Sequence, residues 1–172
     1  MKQYLHTTFG SQKVLQALQT ENPERHMLLT IDDRDQNNFQ LLEATNTATS
    51  VFANPVSYDV LSAVGETDDI RGWIHFTFLT IPEEEMGAFQ KQWNNYQTDT
   101  MVNVTGLIGS QLLQRMDDNR QFAVMSTWTL RDYYTIWQAD GRGPLKKYAD
   151  FENRYNMRTS SYSPAAFTKQ KL

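Results

Sequence analysis

Aromatic and cationic residues crowd one stretch, STWTLRDYYTIWQADGRGPLKKYADF, in which Trp128 and Trp137 precede a Gly-Pro break and the pair Lys146 and Lys147. Tryptophan and tyrosine rings offer broad faces that stack on planar molecules, and a basic run beside them suits a carboxylate. Trp137 stands four residues after Tyr133, on the same helical stripe. A second aromatic set lies in GWIHFTFLTI, where strand alternation puts Trp73 and His75 on one face and Phe76 and Phe78 on the other. Either stripe could roof a flat apolar pocket between helices and sheet. Core packing accounts for most of the rings.

Other chemistries find little support. The chain has no cysteine, no G-x-S-x-G nucleophile elbow and no phosphate loop. His6, His26 and His75 are far apart, and none stands at i, i+4 from another ligand, so a protein-only metal site is not expected. The acidic run Glu83 to Glu85 follows Pro82 and reads as a solvated helix start, because carboxylates favour the positive end of a helix. Arg142, Lys146, Lys147, Arg154 and Arg158 make the segment after Trp137 locally basic, and runs of this kind on helices mostly face water.

A formal charge of −4 and a pI near 5.3 argue against a nucleic-acid partner, which would need a surplus of Lys and Arg. The absence of cysteine fits a reducing compartment. MKQYLHTTFG lacks an apolar signal core, and the longest apolar runs are of strand rather than membrane length, so no membrane partner and a cytoplasmic location are expected.

The elements that must position these residues follow from periodicity. A first strand is expected in QYLHTTF, a helix in SQKVLQALQTEN behind a Ser11 cap, and a hairpin of Met27 to Ile31 and Phe39 to Leu42 around DDRDQNN. NPVSYDVLSAVGE, with Val56, Val60, Leu61 and Val64, predicts a second helix. After the connector DDIRG the order recurs: a strand in GWIHFTFLTI, then a helix carrying Met86, Phe89 and Trp93. A hairpin of TGLIGSQLLQRM and RQFAVMSTWT follows, then helices in RDYYTIWQAD and PLKKYADFENRYN and an irregular strand in SSYSPAAFTKQKL. Two β-α-β-β-α units, over residues 1–67 and 68–172, predict an α+β protein of two ferredoxin-like halves.

The order and spacing of SVFANPVSYDVLSAVGE, FLTIPEEEMGAFQKQWNN, GLIGSQLLQRMDDNRQFAVMSTWT and YYTIWQADG resemble the antibiotic-biosynthesis monooxygenase superfamily, and within it the haem-degrading IsdG/HmoB-like branch. The resemblance implies a ferredoxin-like α+β barrel, closed by two halves of one chain and hence a monomer with an internal pseudo-dimer. It also implies a haem site built from an Asn, a Trp and an iron-ligating His. The Trp is present as Trp137; the His position falls on Lys147, beside Tyr148; the Asn position falls on or near Phe76, beside His75. Lysine must lose its proton to ligate iron, and phenylalanine cannot donate a hydrogen bond. Tyr148 or His75 would be the replacement iron ligand, with Lys147 and Arg142 toward carboxylates and Trp128 lining the pocket. The resemblance thus implies a monooxygenase with a degenerate haem-ligand set. The alternatives are a non-catalytic binder of haem or another small planar molecule, or a cofactor-free oxidase of a phenolic compound.

Overall fold

Alternation of apolar and polar residues generates eight strands. β1 (Tyr4–Gly10), β2 (Met27–Asp32), β3 (Phe39–Thr45) and β4 (Val56–Gly65) come from the first half of the chain, and β5 (Trp73–Thr80), β6 (Leu107–Arg115), β7 (Gln121–Trp128) and β8 (Arg158–Pro164) from the second. Helix α1 (Gln12–Glu21) joins β1 to β2, α2 (Met86–Asp99) joins β5 to β6, and α3 (Arg131–Ala139), α4 (Leu145–Ala149) and α5 (Glu152–Tyr155) join β7 to β8. The computed structural model describes residues 1–140 and 143–165.

The strands pair antiparallel and close into one barrel in the order β1-β3-β2-β8-β5-β7-β6-β4. Taken half by half, the order is β4-β1-β3-β2 and then β8-β5-β7-β6, the same ferredoxin-like pattern twice. The last strand of each half crosses to the other: β4 pairs with β6 and β8 with β2. The α+β barrel expected from the sequence is therefore present within one chain.

One element departs from expectation. Residues 54–66 do not form a helix; they supply β4 and the turns around it. Val56, Tyr58 and Val60 alternate with Ser57 and Asp59, and partners on both sides, β1 and β6, satisfy the backbone of this β-branched segment. Leu61 faces outward against the core beneath α2, and a register slip between Val60 and Ser62 puts Ser62 on that side as well and returns Ala63 to the interior. Val56 and Val60 thus face the interior and Leu61 the outside, so their helical spacing marks no single face. In place of a second helix, the connection after β3 sends Phe52 into the cluster under α1.

Each strand has one face inside the barrel and one beneath helices. The interior packs Leu5, Leu42, Tyr58, Ile74, Phe76 and Tyr162. Outside, Phe89 and Trp93 of α2 pack on Leu112, Phe122 and Val124. Burying a large side chain of this kind stabilises by about 1.5–3 kcal/mol. Ser11 caps α1, accepting from the Val14 amide at 3.3 Å. The acidic start of α2 is not wholly solvated, since Glu85 accepts from Arg154 (2.9 Å) and from the Tyr155 hydroxyl (2.7 Å), tying α2 to α5. No helix among the described residues is long and apolar enough to cross a membrane.

Because one chain closes the barrel, sedimentation equilibrium is expected to return a mass near 20.0 kDa. A stable dimer at micromolar concentration would contradict that expectation.

Candidate functional site

Helix α3 lies over the outer face of β5 and β7 and divides the space beside it. Its buried Tyr134 packs between Trp73 and Trp128, with ring centroids 5.1 and 5.7 Å away. Tyr133 and Trp137, one turn apart, lie toward α2, whereas Arg131, Thr135 and Gln138 lie on the opposite flank.

On the α2 flank is a groove of about 610 Å³ whose walls include Tyr96, Val104, Tyr133, Ile136 and Trp137. The Trp137 indole N–H donates to the Tyr96 hydroxyl at 2.9 Å, and its ring lies 5.8 Å from Trp128. Two glycines set the wall rings. Gly106 has φ of 82° and Gly143 a φ of 56°, and a Cβ on either would fall 2.1 Å from the Tyr133 ring or 2.4 Å from the Tyr96 ring. Only glycine allows both the left-handed backbone and the close approach.

On the other flank is a smaller polar cavity of about 240 Å³. His75 stacks on Tyr134 with centroids 4.2 Å apart, and its Nε2 lies 2.9 Å from the Tyr134 hydroxyl. Asp33 accepts from the Trp73 indole N–H (2.7 Å) and from the hydroxyls of Ser161 (2.8 Å) and Ser163 (2.6 Å). Burial alone would raise the Asp33 carboxyl, but the donors Ser163, Trp73 and Ser161, together with the charge of Arg131, hold it below its ordinary value.

No family model and no curated protein matches the sequence. Solved structures do match. An uncharacterised ferredoxin-fold protein from Listeria monocytogenes, related to antibiotic biosynthesis monooxygenases, superposes with a TM-score of 0.79 at 18% identity, over 97% of each chain. The barrel is the monooxygenase-like ferredoxin fold. A heme-degrading enzyme from Listeria monocytogenes shares it at TM-score 0.73 and 18% identity, over 94% of this chain and 99% of that one. So does a major regulator of staphylococcal pathogenesis, at 0.79 and 16%, over 94% and 98%. Proteins of different roles thus share this barrel, so the fold by itself assigns none of them.

The structure brings together some of the residues singled out by sequence. Trp137 lines the groove and rests on Trp128, but Trp128 is fully buried and, against expectation, does not line the groove. His75 shares the outer face with Trp73 but sits beneath α3 on the polar flank. Phe76, one residue later, faces the barrel interior and cannot serve a site beneath α3. Tyr148 is a core residue, 2% exposed and edge-on to Phe89 and Tyr155, and burial raises its phenol above the usual range. Lys147 is exposed, its Nζ 5.6 Å from the centroid of that ring. Arg142 lies outside the described residues. The basic segment does not form one patch: Arg154 pairs with Glu85, and Arg158 sits over Phe78 at 5.1 Å.

Tyr96, Asp33 and Arg131 were not singled out by sequence reasoning. Tyr96 follows Trp93 by three residues and extends the apolar stripe of α2, a signal that was legible. Asp33 stands in a turn whose composition explains itself, and only the fold reveals its partners. Among the described residues, no cluster of His, Asp or Glu could hold a metal ion.

Two outcomes test this geometry. An ionised, bonded Asp33 stabilises the fold above the ordinary carboxylate pKa of about 4, and that contribution is lost as pH falls through its lowered folded value. Asp33→Asn is therefore expected to cost about 1 kcal/mol at neutral pH and to flatten the acid limb of urea-denaturation midpoints measured from pH 3 to 6. Gly106→Ala is expected to cost about 1–3 kcal/mol in the same assay, through backbone strain and displacement of Tyr133.

Proposed function

We propose that the protein binds a neutral planar aromatic molecule of two or three rings in the groove between α2 and α3, and does so without ligating a haem iron. The observation that carries this reading is the groove of about 610 Å³ with aromatic walls. A cleft of that size suits a drug-sized ligand. Trp137 offers its face, held at the edge by Tyr96, and the Tyr96 hydroxyl, having accepted the indole proton, can donate its own to a ligand carbonyl.

The likeness to the heme-degrading enzyme from Listeria monocytogenes supports a planar ligand. The described residues fit such a ring and do not fit its iron. Haem iron takes imidazole, thiolate, thioether or phenolate ligands; no histidine lines the groove, and of its two tyrosines Tyr96 holds the Trp137 indole N–H while the Tyr133 ring is seated on Gly106. His6 is buried between the Ser57 hydroxyl (2.7 Å) and the Thr47 carbonyl (2.8 Å), His26 lines a small cavity elsewhere, and His75 belongs to the polar flank. Tyr148 is enclosed in the core as a neutral phenol, and Lys147 is in solvent.

Acridone, a neutral three-ring ketone, is a suitable probe. Its fluorescence is expected to saturate with wild-type protein, and Trp137→Ala is expected to weaken binding about tenfold, the loss of one good stacking contact. A parallel haemin titration should show no ligated Soret band. Absence of saturable acridone binding, or a sharp haemin Soret shift, would overturn the reading.

A further inference from the structure

The barrel has an interior of its own, on the face of β5 opposite to α3. Inward-facing side chains leave a cavity of about 310 Å³ at the end where β1 and β5 finish and β8 begins. Phe76 and Phe78 line it in parallel stack, 5.5 Å apart at 5°, and Tyr162 meets Phe76 edge-on at 5.9 Å. Tyr58 and Gln40 complete the wall.

Two cations stand at the mouth, and they are not equivalent. Arg115 is spent on Asp117, which it meets through Nε at 2.7 Å and Nη2 at 2.8 Å. Arg158 lies over the Phe78 ring at 5.1 Å, and among the described residues no carboxylate lies within ion-pair distance of it. The Tyr58 hydroxyl is near enough to feel both arginines, yet burial dominates and raises it to about 12, so it stays a neutral donor. Asp32 is the other acid near the cavity, acting on Tyr162.

Gln40 supplies the second, independent observation. It is 3% exposed and lines the cavity, and its Oε1 has no hydrogen-bond partner among the described residues; that oxygen is itself closed to solvent, so a ligand reaches it by a turn of the Gln40 side chain. A buried carbonyl in that state is costly, and a ligand that donates a proton to it recovers the loss.

We propose that this cavity is a second binding site, for a single-ring aromatic carboxylate that carries a ring hydroxyl or amine. The carboxylate pairs with Arg158 at the mouth and accepts from Tyr58, the ring packs on Phe76 and Phe78, and the ring donor bonds to Gln40 Oε1. The volume matches one ring, at the small end of ligand cavities. A guanidinium already seated over an aromatic face is well placed to take a carboxylate there. The site is independent of the Trp137 groove, and either can fail without the other.

Calorimetric titration with 4-hydroxybenzoate tests it, with benzoate lacking the donor and 4-hydroxybenzyl alcohol lacking the carboxylate. The expected result is saturable binding of 4-hydroxybenzoate below about 1 mM, with each comparison compound about tenfold weaker. Arg158→Gln, an exposed position, should weaken 4-hydroxybenzoate about tenfold or more, and Gln40→Leu should erase its advantage over benzoate. Trp137→Ala should change nothing. No saturable binding to the wild type, binding indifferent to Arg158→Gln, or binding lost on Trp137→Ala would each overturn the proposal.

Discussion

Closure of the barrel is the constraint on which everything else rests. In an open sheet a strand can slip by a residue at its edge, but eight strands paired in a ring fix every inside and outside face at once. Along β5 this sends Ile74, Phe76 and Phe78 inward and Trp73, His75 and Leu79 outward. A difference of one position therefore separates a residue of the interior cavity from a residue of the α3 flank. The bulge between Val60 and Ser62 shows the same rule locally: after it, Ser62 faces α2 and bonds Asn94 (2.8 Å) and Gln97 (2.7 Å), while Ala63 returns to the interior.

The two seams where the halves meet are unequal. The β4 and β6 ladder runs from Tyr58 with Arg115 to Gly65 with Gly109, whereas β2 and β8 share only the pairs at Thr30, Ile31 and Asp32. Asp33 reinforces that short seam, gathering donors from β5 and β8 at its end. Bonds to an ionised acceptor are stronger than neutral ones, enough to matter where few backbone pairs hold. The same carboxylate fixes Trp73, which packs on Tyr134, so the seam also sets the height of α3 over the sheet.

Much of this was legible in the sequence, for physical reasons that vary with the element. The first hairpin, the hairpin of β6 and β7, and helices α1 and α2 announce themselves through turn chemistry, a serine cap, Pro82 and long apolar stripes. β4 does not, because apolar residues of both its faces fall in a spacing that imitates a helix, and its true partners are distant in sequence. At the site, the Tyr133 and Trp137 stripe was readable, and so was the split of β5 into two faces. Lys147 and Tyr148 were not, since α4 is one short turn whose facing depends on α2: Tyr148 turns into the core against Phe89 and Lys147 into solvent. A neighbouring pair on a helix points about 100° apart, so adjacency in sequence says nothing about shared function.

The aromatic wall and the absent imidazole belong to different energetic classes, which is why one can persist without the other. Stacking on Trp137 draws on area, on a glycine-seated Tyr96 and on the shape of the groove, none of which needs a metal. Iron ligation needs one deprotonated donor at one place, and all three histidines of this chain are placed elsewhere. Restoring it would require turning an imidazole into the groove from α3 or α4, where Tyr134 and Tyr148 already fill the sheet-facing and α2-facing positions. On the proposed reading, the groove would select flat rings by shape and by hydroxyls such as that of Tyr96, and stacking of this kind needs no metal.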